Sequence, residues 1–179
     1  MQIVKTPEVK FTVNNTTYNY FNDYISYSSA PTALLNESEF IYVGYGIDDE
    51  KYNNYKSTDV KDKIVVVKGG EPKDKAGNYV ISGTKEISRW SNGRQSISSK
   101  KEAALANGAK AVILIDQKLF NTYSSYFKRQ DRKGGGNKLS LLNQEKEIQF
   151  YLVSNKMGEA IMPNLHDKTE YSTINAKIN

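Results

Sequence analysis

The fold is decided by the stretch SKKEAALANGAKAVILID, residues 99–116, in which a helix-forming segment is followed at once by an apolar strand. Ser99 and Glu102 match a capping box, in which a serine hydroxyl and a glutamate each satisfy a free backbone N–H at a helix start. Gly108 follows the alanine-rich run and is a typical residue just beyond a helix end. The sequence therefore predicts a helix that starts at Ser99 and ends before Gly108, followed by a strand at Val112–Ile115.

Three further apolar runs extend this unit into a sheet. Ile64–Val67 is continuously apolar and β-branched, as in a strand that is covered on both faces. Because a strand, a helix and a strand joined by a short turn form a crossover unit, Ile64–Val67 is expected to run parallel to Val112–Ile115. Phe40–Val43 and Ile148–Ser154 predict two more strands, and the segment after the second begins as a short helix that Pro163 ends.

The remaining segments predict edges and connections. Alternating apolar residues at 9–13 and 171–178 indicate half-buried flanking strands. Lys68–Ile97 is predicted as an insertion with one or two short strands, and Gln117–Lys138 as a loop. The expected fold class is α/β (α+β), with a mixed β-sheet or β-sandwich-like core around a β-α-β-α centre.

Length and composition are those of a folded globule. A chain of 179 residues with 38% hydrophobic and 11% aromatic residues is the size of one domain. This domain is expected to span residues 1–179, with its core at about 39–162. No apolar run approaches the roughly 18 residues that cross a bilayer, so no membrane insertion is expected. The absence of cysteine excludes disulfides, thiolate nucleophiles and cysteine-ligated metals.

Two glycine-bearing segments raise the question of phosphate binding. Gly44 and Gly46 follow a strand, but the dinucleotide fingerprint needs a third glycine where this chain has Asp49, so the pair predicts a sharp turn. The basic run 128–138 has the composition of a solvated loop, although it also suits phosphates or an acidic surface. The net charge of +5 is modest, and no nucleic acid partner is expected.

Candidates for catalysis are scarce. His166 is the one histidine, whereas a di-zinc site needs several histidine and carboxylate ligands and a general base. A serine nucleophile needs a positioned base, which only His166, in a predicted loop, offers. Asp48, Asp49 and Glu50 supply oxygen ligands for calcium but lack the alternating spacing and turn glycine of a calcium loop. No catalytic, cofactor-binding or metal-binding residue is therefore expected.

Five segments, taken in order, carry a resemblance to a known family: FIYVGYGI (40–47), YNNYKSTDVKDK (52–63), KIVVVKGGEP (63–72), AALANGAKAVILID (103–116) and FYLVSNKMGEAIM (150–162). The chain resembles the protease-associated domain, in the version inserted into secreted zinc aminopeptidases of the di-zinc exopeptidase type. The most specific pieces are Val43–Gly46 and Asn107–Val112. The family usually has a glycine before Lys63, where this chain has Asp62.

The resemblance implies a non-catalytic protease-associated domain of an exported zinc aminopeptidase, which modulates substrate access or protein interaction. It implies that zinc is bound only by the parent peptidase domain, and that this domain and peptide or protein substrates are the partners. The implied location is extracellular or the cell envelope, including the periplasm. Two alternatives remain: a stand-alone peptide- or protein-binding module with the same fold, and an enzyme with an unrecognised site.

The predicted interaction surface lies on the loop at Gln117–Lys138. Its aromatic residues supply contact area at low entropic cost, and its basic residues suit acidic partners. The other possibility is that the aromatics close over the core while the basic run is solvated. The candidate residues are Phe120, Tyr123, Tyr126, Phe127, Lys128, Arg129, Arg132 and Lys133.

Overall fold

The fold is described from a computed structural model, which describes residues 4–5, 11–27, 40–132, 137–138, 148–164 and 172–174. The strands in these residues are β1 (Val4–Lys5), β2 (Phe11–Val13), β3 (Thr16–Tyr18), β4 (Tyr24–Ser26), β5 (Phe40–Tyr42), β6 (Ile64–Lys68), β7 (Ala111–Ile115), β8 (Asn137–Lys138), β9 (Gln149–Val153) and β10 (Ser172–Ile174). The helices are α1 (Gly93–Ala106), α2 (Gln117–Arg132) and α3 (Asn155–Ile161).

A six-stranded mixed sheet forms the centre of the fold, in the order β10-β5-β6-β7-β9-β4. Its inner strands β5, β6, β7 and β9 are parallel, and the edge strands β4 and β10 are antiparallel to their neighbours. Ile64 is paired with Ala111 and Val67 with Leu114, which confirms the predicted parallel crossover. The chain is therefore a mixed α/β protein, with helices connecting parallel strands.

Both faces of the central sheet are covered, because side chains along the inner strands alternate between two cores. Val66 and Ile113 belong to the first core, with residues of the β2-β3 hairpin and of α3. Val65 and Leu114 belong to the second core, with residues of α1 and α2. The continuous apolar runs of the parallel strands follow from this two-sided burial.

The flanking strands are confirmed where the structure describes them. Strand β2 occupies residues 11–13 of the predicted strand 9–13, and β10 occupies 172–174 of the predicted strand 171–178. The other residues of these two predictions lie outside the described ranges. Strand β2 continues into β3 through Asn14 and Asn15, which have φ values of +48° and +66°. Two consecutive left-handed residues are typical of a tight hairpin turn, and asparagine is favoured there.

Helix α1 begins at Gly93, so the predicted start at Ser99 is wrong. Ser99 lies buried within the helix, where it cannot serve as a cap. The early start escaped prediction because the first turn carries almost no apolar residue. The buried face includes Ile97, Lys100 and Ala104 at helical spacing, and three of its six residues are polar: Ser96, Ser99 and Lys100.

The predicted end of this helix is confirmed. Gly108 has a φ of +80°, and its N–H donates to the carbonyl of Leu105 at 3.0 Å. The N–H of Ala109 donates to the carbonyl of Ala104, also at 3.0 Å. These two bonds form a Schellman motif, which satisfies carbonyls that the end of a helix leaves free.

The region Lys68–Ile97 was expected to contain one or two short strands, and that expectation is wrong. Between β6 and α1 the chain forms turns, with one isolated bridge between Lys73 and Tyr79. Trp90 anchors this region, because its side chain is 2% exposed and packs into the core beneath α1.

Replacing Ala104 with leucine is expected to lower the free energy of unfolding by about 1 to 3 kcal/mol, because the larger side chain overpacks the core under α1. Ala104 is fully buried, whereas Ala106 is exposed on the same helix. The matched variant Ala106→Leu should therefore change the free energy by no more than about 0.5 kcal/mol. Chemical denaturation of both variants measures the difference, and equal midpoints would contradict the packing of α1 described above.

Candidate functional site

Seven of the eight predicted interaction residues lie on helix α2, so the prediction of a loop at Gln117–Lys138 is wrong over the described residues. Asp116 precedes the helix, and its Oδ1 accepts a hydrogen bond from the N–H of Leu119 at 2.9 Å. This bond satisfies one of the backbone donors that a helix start leaves free. The aromatic residues of the segment recur at intervals of three and four, a helical spacing. The helix consequently divides the predicted surface between two faces.

One face of α2 belongs to the core. Phe120 is 4% exposed, and Tyr123 and Phe127 are half-buried against the same core. The ring of Tyr27 makes edge contacts with both half-buried rings, at centroid distances of 5.4 Å to Tyr123 and 6.0 Å to Phe127. Burial raises the pKa of the Tyr123 hydroxyl above its ordinary value. These three aromatics therefore close over the core, and only their outer edges remain for a partner.

The other face of α2 is open to solvent. Tyr126 is 45% exposed, and the guanidinium of Arg129 lies 5.9 Å from the centre of its ring. Arg132 is exposed one turn further along. Tyr126, Arg129 and Arg132 thus remain candidates for an interaction, whereas Lys133 lies outside the described residues.

A groove of about 320 Å³ lies beside the C-terminal half of α2 and is called the α2 groove below. The Nζ of Lys128 donates a hydrogen bond to Oδ1 of Asn22 at 2.8 Å, which ties the helix to the turn between β3 and β4. These two residues are 106 positions apart in the chain, so no local sequence pattern indicates that they meet. The groove is lined by Tyr20, Phe21, Asn22, Lys128, Asp131 and Arg132.

The turn that forms one wall of the α2 groove is firmly held. The N–H of Phe21 donates to the carbonyl of Tyr24 at 2.8 Å. Asp23 is buried, and its carboxylate accepts from the N–H of Asn19 at 2.9 Å and pairs with Lys156 Nζ at 3.3 Å. Phe21 has a φ of +66°, a left-handed conformation that is rare for a bulky residue. The bonds around the turn hold this conformation in place.

The acidic residues of the 48–50 segment lie in a second, open cleft of about 540 Å³. Asp48 accepts hydrogen bonds from the side-chain amides of Asn53 and Asn107, the latter at 2.8 Å. Asp49 accepts from the indole N–H of Trp90 at 3.4 Å. The carboxylates therefore serve to tie neighbouring segments together. The cleft is lined by Asp48, Asp49, Glu50, Asn53 and Arg89.

Metal ligands in the described part of the chain would be histidine, cysteine, aspartate and glutamate side chains. No group of three or more histidine, cysteine, aspartate or glutamate side chains lies close enough there to hold a metal ion. The acidic cleft is included in this result, which gives no support to the calcium site considered from the sequence. His166 lies outside the described residues.

Lys100 is the most deeply buried charged group among the residues described, with 1% of its side chain exposed. Its Nζ donates to the backbone carbonyls of Tyr45 and of Gly70, the latter at 3.1 Å. Burial lowers the pKa of Lys100 to about 7, and the carboxylates of Asp116 and Glu71 oppose part of this shift. Lys100 thereby ties α1 to the turns that follow β5 and β6. Sequence inspection missed this role because a lysine within a helix usually points to solvent.

Comparisons with known proteins give no direct identification. A scan against protein-family models finds no match for the chain, and a search of curated proteins finds none either. Within the described ranges, no helix is both long enough and apolar enough to cross a membrane.

Proposed function

We propose that this chain is a non-catalytic protease-associated domain that accompanies a zinc aminopeptidase and modulates substrate access to it or binds other proteins. In this proposal the zinc ions and the general base belong to the peptidase domain of the same polypeptide. That polypeptide is exported, and the domain acts outside the cell or in its envelope. Its partners are the peptidase domain and peptide or protein substrates.

The backbone conformation of Asp62 supports the proposal best. Its φ is +59°, in the region that glycine adopts without strain, and this is the position at which the family has glycine. Aspartate is among the few other residues that tolerate the conformation. The N–H of Asp62 donates to the carbonyl of Gly108 at 2.9 Å, and the N–H of Lys110 donates to the carbonyl of Lys63 at 2.8 Å. A turn that favours glycine thus joins two of the segments on which the resemblance rests.

The glycine pair after β5 gives further support. Gly44 and Gly46 have φ values of +59° and +62°, as expected for residues that turn the chain sharply off a strand. The N–H of Lys68 donates to the carbonyl of Gly44 at 2.9 Å, which keeps this turn against the end of β6. In the protease-associated family, which the chain resembles, the glycine pair likewise ends a strand and starts a loop.

A stand-alone binding module is the second candidate function. It is favoured by Tyr126 and Arg129, which present an exposed aromatic ring and a guanidinium side by side on α2. Tyrosine and arginine are enriched among the residues that dominate binding energy at protein interfaces. The two candidates differ in what lies beside this domain in the natural gene, because only the first requires flanking histidine and carboxylate zinc ligands.

The purified 179-residue chain is expected to hydrolyse no amino-acid anilide, with or without added zinc, because one histidine cannot assemble a two-metal site. A chromogenic anilide assay measures this, with a di-zinc aminopeptidase as the positive control. Hydrolysis that persists through repurification and disappears with a chelator would contradict the non-catalytic assignment.

A further inference from the structure

We propose that the α2 groove binds an acidic peptide segment that carries an aromatic or aliphatic side chain. This inference rests on the protein-interaction role in the proposed function, and it names the site and the chemistry of the partner. The turn between β3 and β4 forms one side of this groove, and the last turns of α2 form the other.

The turn supplies the apolar wall of the groove. The rings of Tyr20 and Phe21 lie 4.3 Å apart between centroids and form one continuous aromatic surface, and both side chains are half-buried. Phe21 adopts a left-handed φ that asparagine or glycine would take at much lower cost. Strained residues are concentrated at binding sites, where the surrounding structure fixes them. An apolar side chain of a peptide would pack against these two rings.

The helix supplies the charged wall. Lys128 and Arg132 are one turn apart on α2, and both line the groove. Lys128 is already oriented by its bond to Asn22, so less side-chain entropy is lost when it meets a ligand. These cations would pair with carboxylates on the peptide.

A peptide fits this combination better than a polyanion does. Asp131 also lines the groove, and its carboxylate would repel a densely charged phosphate backbone or anionic lipid surface more strongly than a peptide in which carboxylates alternate with uncharged residues. The same carboxylate accepts a hydrogen bond from a peptide N–H. A volume of about 320 Å³ accommodates a few side chains rather than a folded element. The groove therefore combines an aromatic wall, two cations and a carboxylate acceptor, a combination that matches a short acidic peptide.

The test is fluorescence anisotropy with a labelled peptide of alternating glutamate and phenylalanine, added to the full chain at about 50 mM salt, where surface charges are weakly screened. Lys128→Gln and Arg132→Gln are each expected to weaken binding about two- to fivefold. Lys118→Gln removes the same charge from an exposed position near the start of the same helix and should leave binding unchanged. Phe21→Gly should weaken binding while fitting the left-handed backbone. Thermal melts followed by circular dichroism verify that each variant is folded.

Several results would overturn the proposal. One is no binding of the acidic peptide, and another is equal weakening by Lys118→Gln, which would show general charge attraction. A third is equal binding of a lysine-phenylalanine peptide, or tighter binding of single-stranded RNA or anionic vesicles. Each of these leaves the peptidase association untouched, because that association is judged by zinc content and hydrolysis.

Discussion

Replacing Lys100 with methionine is expected to lower the free energy of unfolding at pH 9 by about 2 to 5 kcal/mol. The substitution keeps a long side chain with good helix propensity, so the helix itself is little affected. It removes the donor to the carbonyls of Tyr45 and Gly70, which both lose this partner in a partly buried setting. The large effect follows from where Lys100 lies, because it ties α1 to the turns after two neighbouring strands.

The cost of this substitution should also depend on pH. The pKa of Lys100 is about 7 in the folded chain and has its ordinary value, near 10.5, in the unfolded chain. Between these values the unfolded chain binds a proton that the folded chain does not, so the stability supplied by Lys100 rises with pH. The difference between wild type and Lys100→Met should therefore shrink by about 1.4 kcal/mol per pH unit from pH 9 towards pH 7, and level off below pH 7.

Urea denaturation at several pH values measures this dependence, with Lys101→Met as the control. Lys101 is the next residue on the helix and is not fully buried. The control should change the free energy of unfolding by no more than about 0.5 kcal/mol, with no pH dependence. A Lys100→Met difference that stays constant from pH 6.5 to pH 9 would show that the amine is not buried as described.

Replacing Gly46 with alanine is expected to cost about 2 to 5 kcal/mol of folding free energy, the sum of two effects. The φ of +62° places an L-residue in the left-handed region, and the added Cβ would lie 2.6 Å from Cγ1 of Val67. Val67 is fully buried in strand β6, so it has little room to move. The turn after β5 and the neighbouring strand would both be distorted.

Gly83 provides the matched control for this prediction. It also has a left-handed φ, of +71°, but a Cβ at this position would meet no atom within 4 Å. Gly83→Ala should therefore show the backbone cost alone, about 1 to 2 kcal/mol. Thermal or chemical unfolding of the two variants separates the backbone cost from the steric one. Equal destabilisation by both would contradict the close packing of Gly46 on Val67.

The parallel strands were predictable because both faces of the sheet are buried there, so that side chains pointing to either face are mostly apolar. Ile64–Val67, Val112–Ile115 and Ile148–Ser154 each carry that signal, and the structure confirms all three. The end of α1 was predictable for a local reason, since glycine at 108 takes the left-handed conformation that the helix end requires. Such features depend on residues close together in the chain.

Helix α2 and the start of α1 were missed for physical reasons. The glycine-rich run after Arg132 and the many basic residues suggested a loop, which obscured the helical spacing of the aromatics. In α1 a buried lysine occupies a position of the core face where an apolar residue is expected. The α2 groove was beyond prediction because tertiary packing alone brings residues 20–22 to residues 128–132.

We propose that this domain accompanies a zinc aminopeptidase without contributing to its chemistry. The most direct test of this proposal measures zinc content and anilide hydrolysis, both on the full product of the natural gene and on the 179-residue chain. We expect zinc and chelator-sensitive hydrolysis in the full product and neither in the chain alone. A full product that binds no zinc and hydrolyses no amino-terminal residue would contradict the claim.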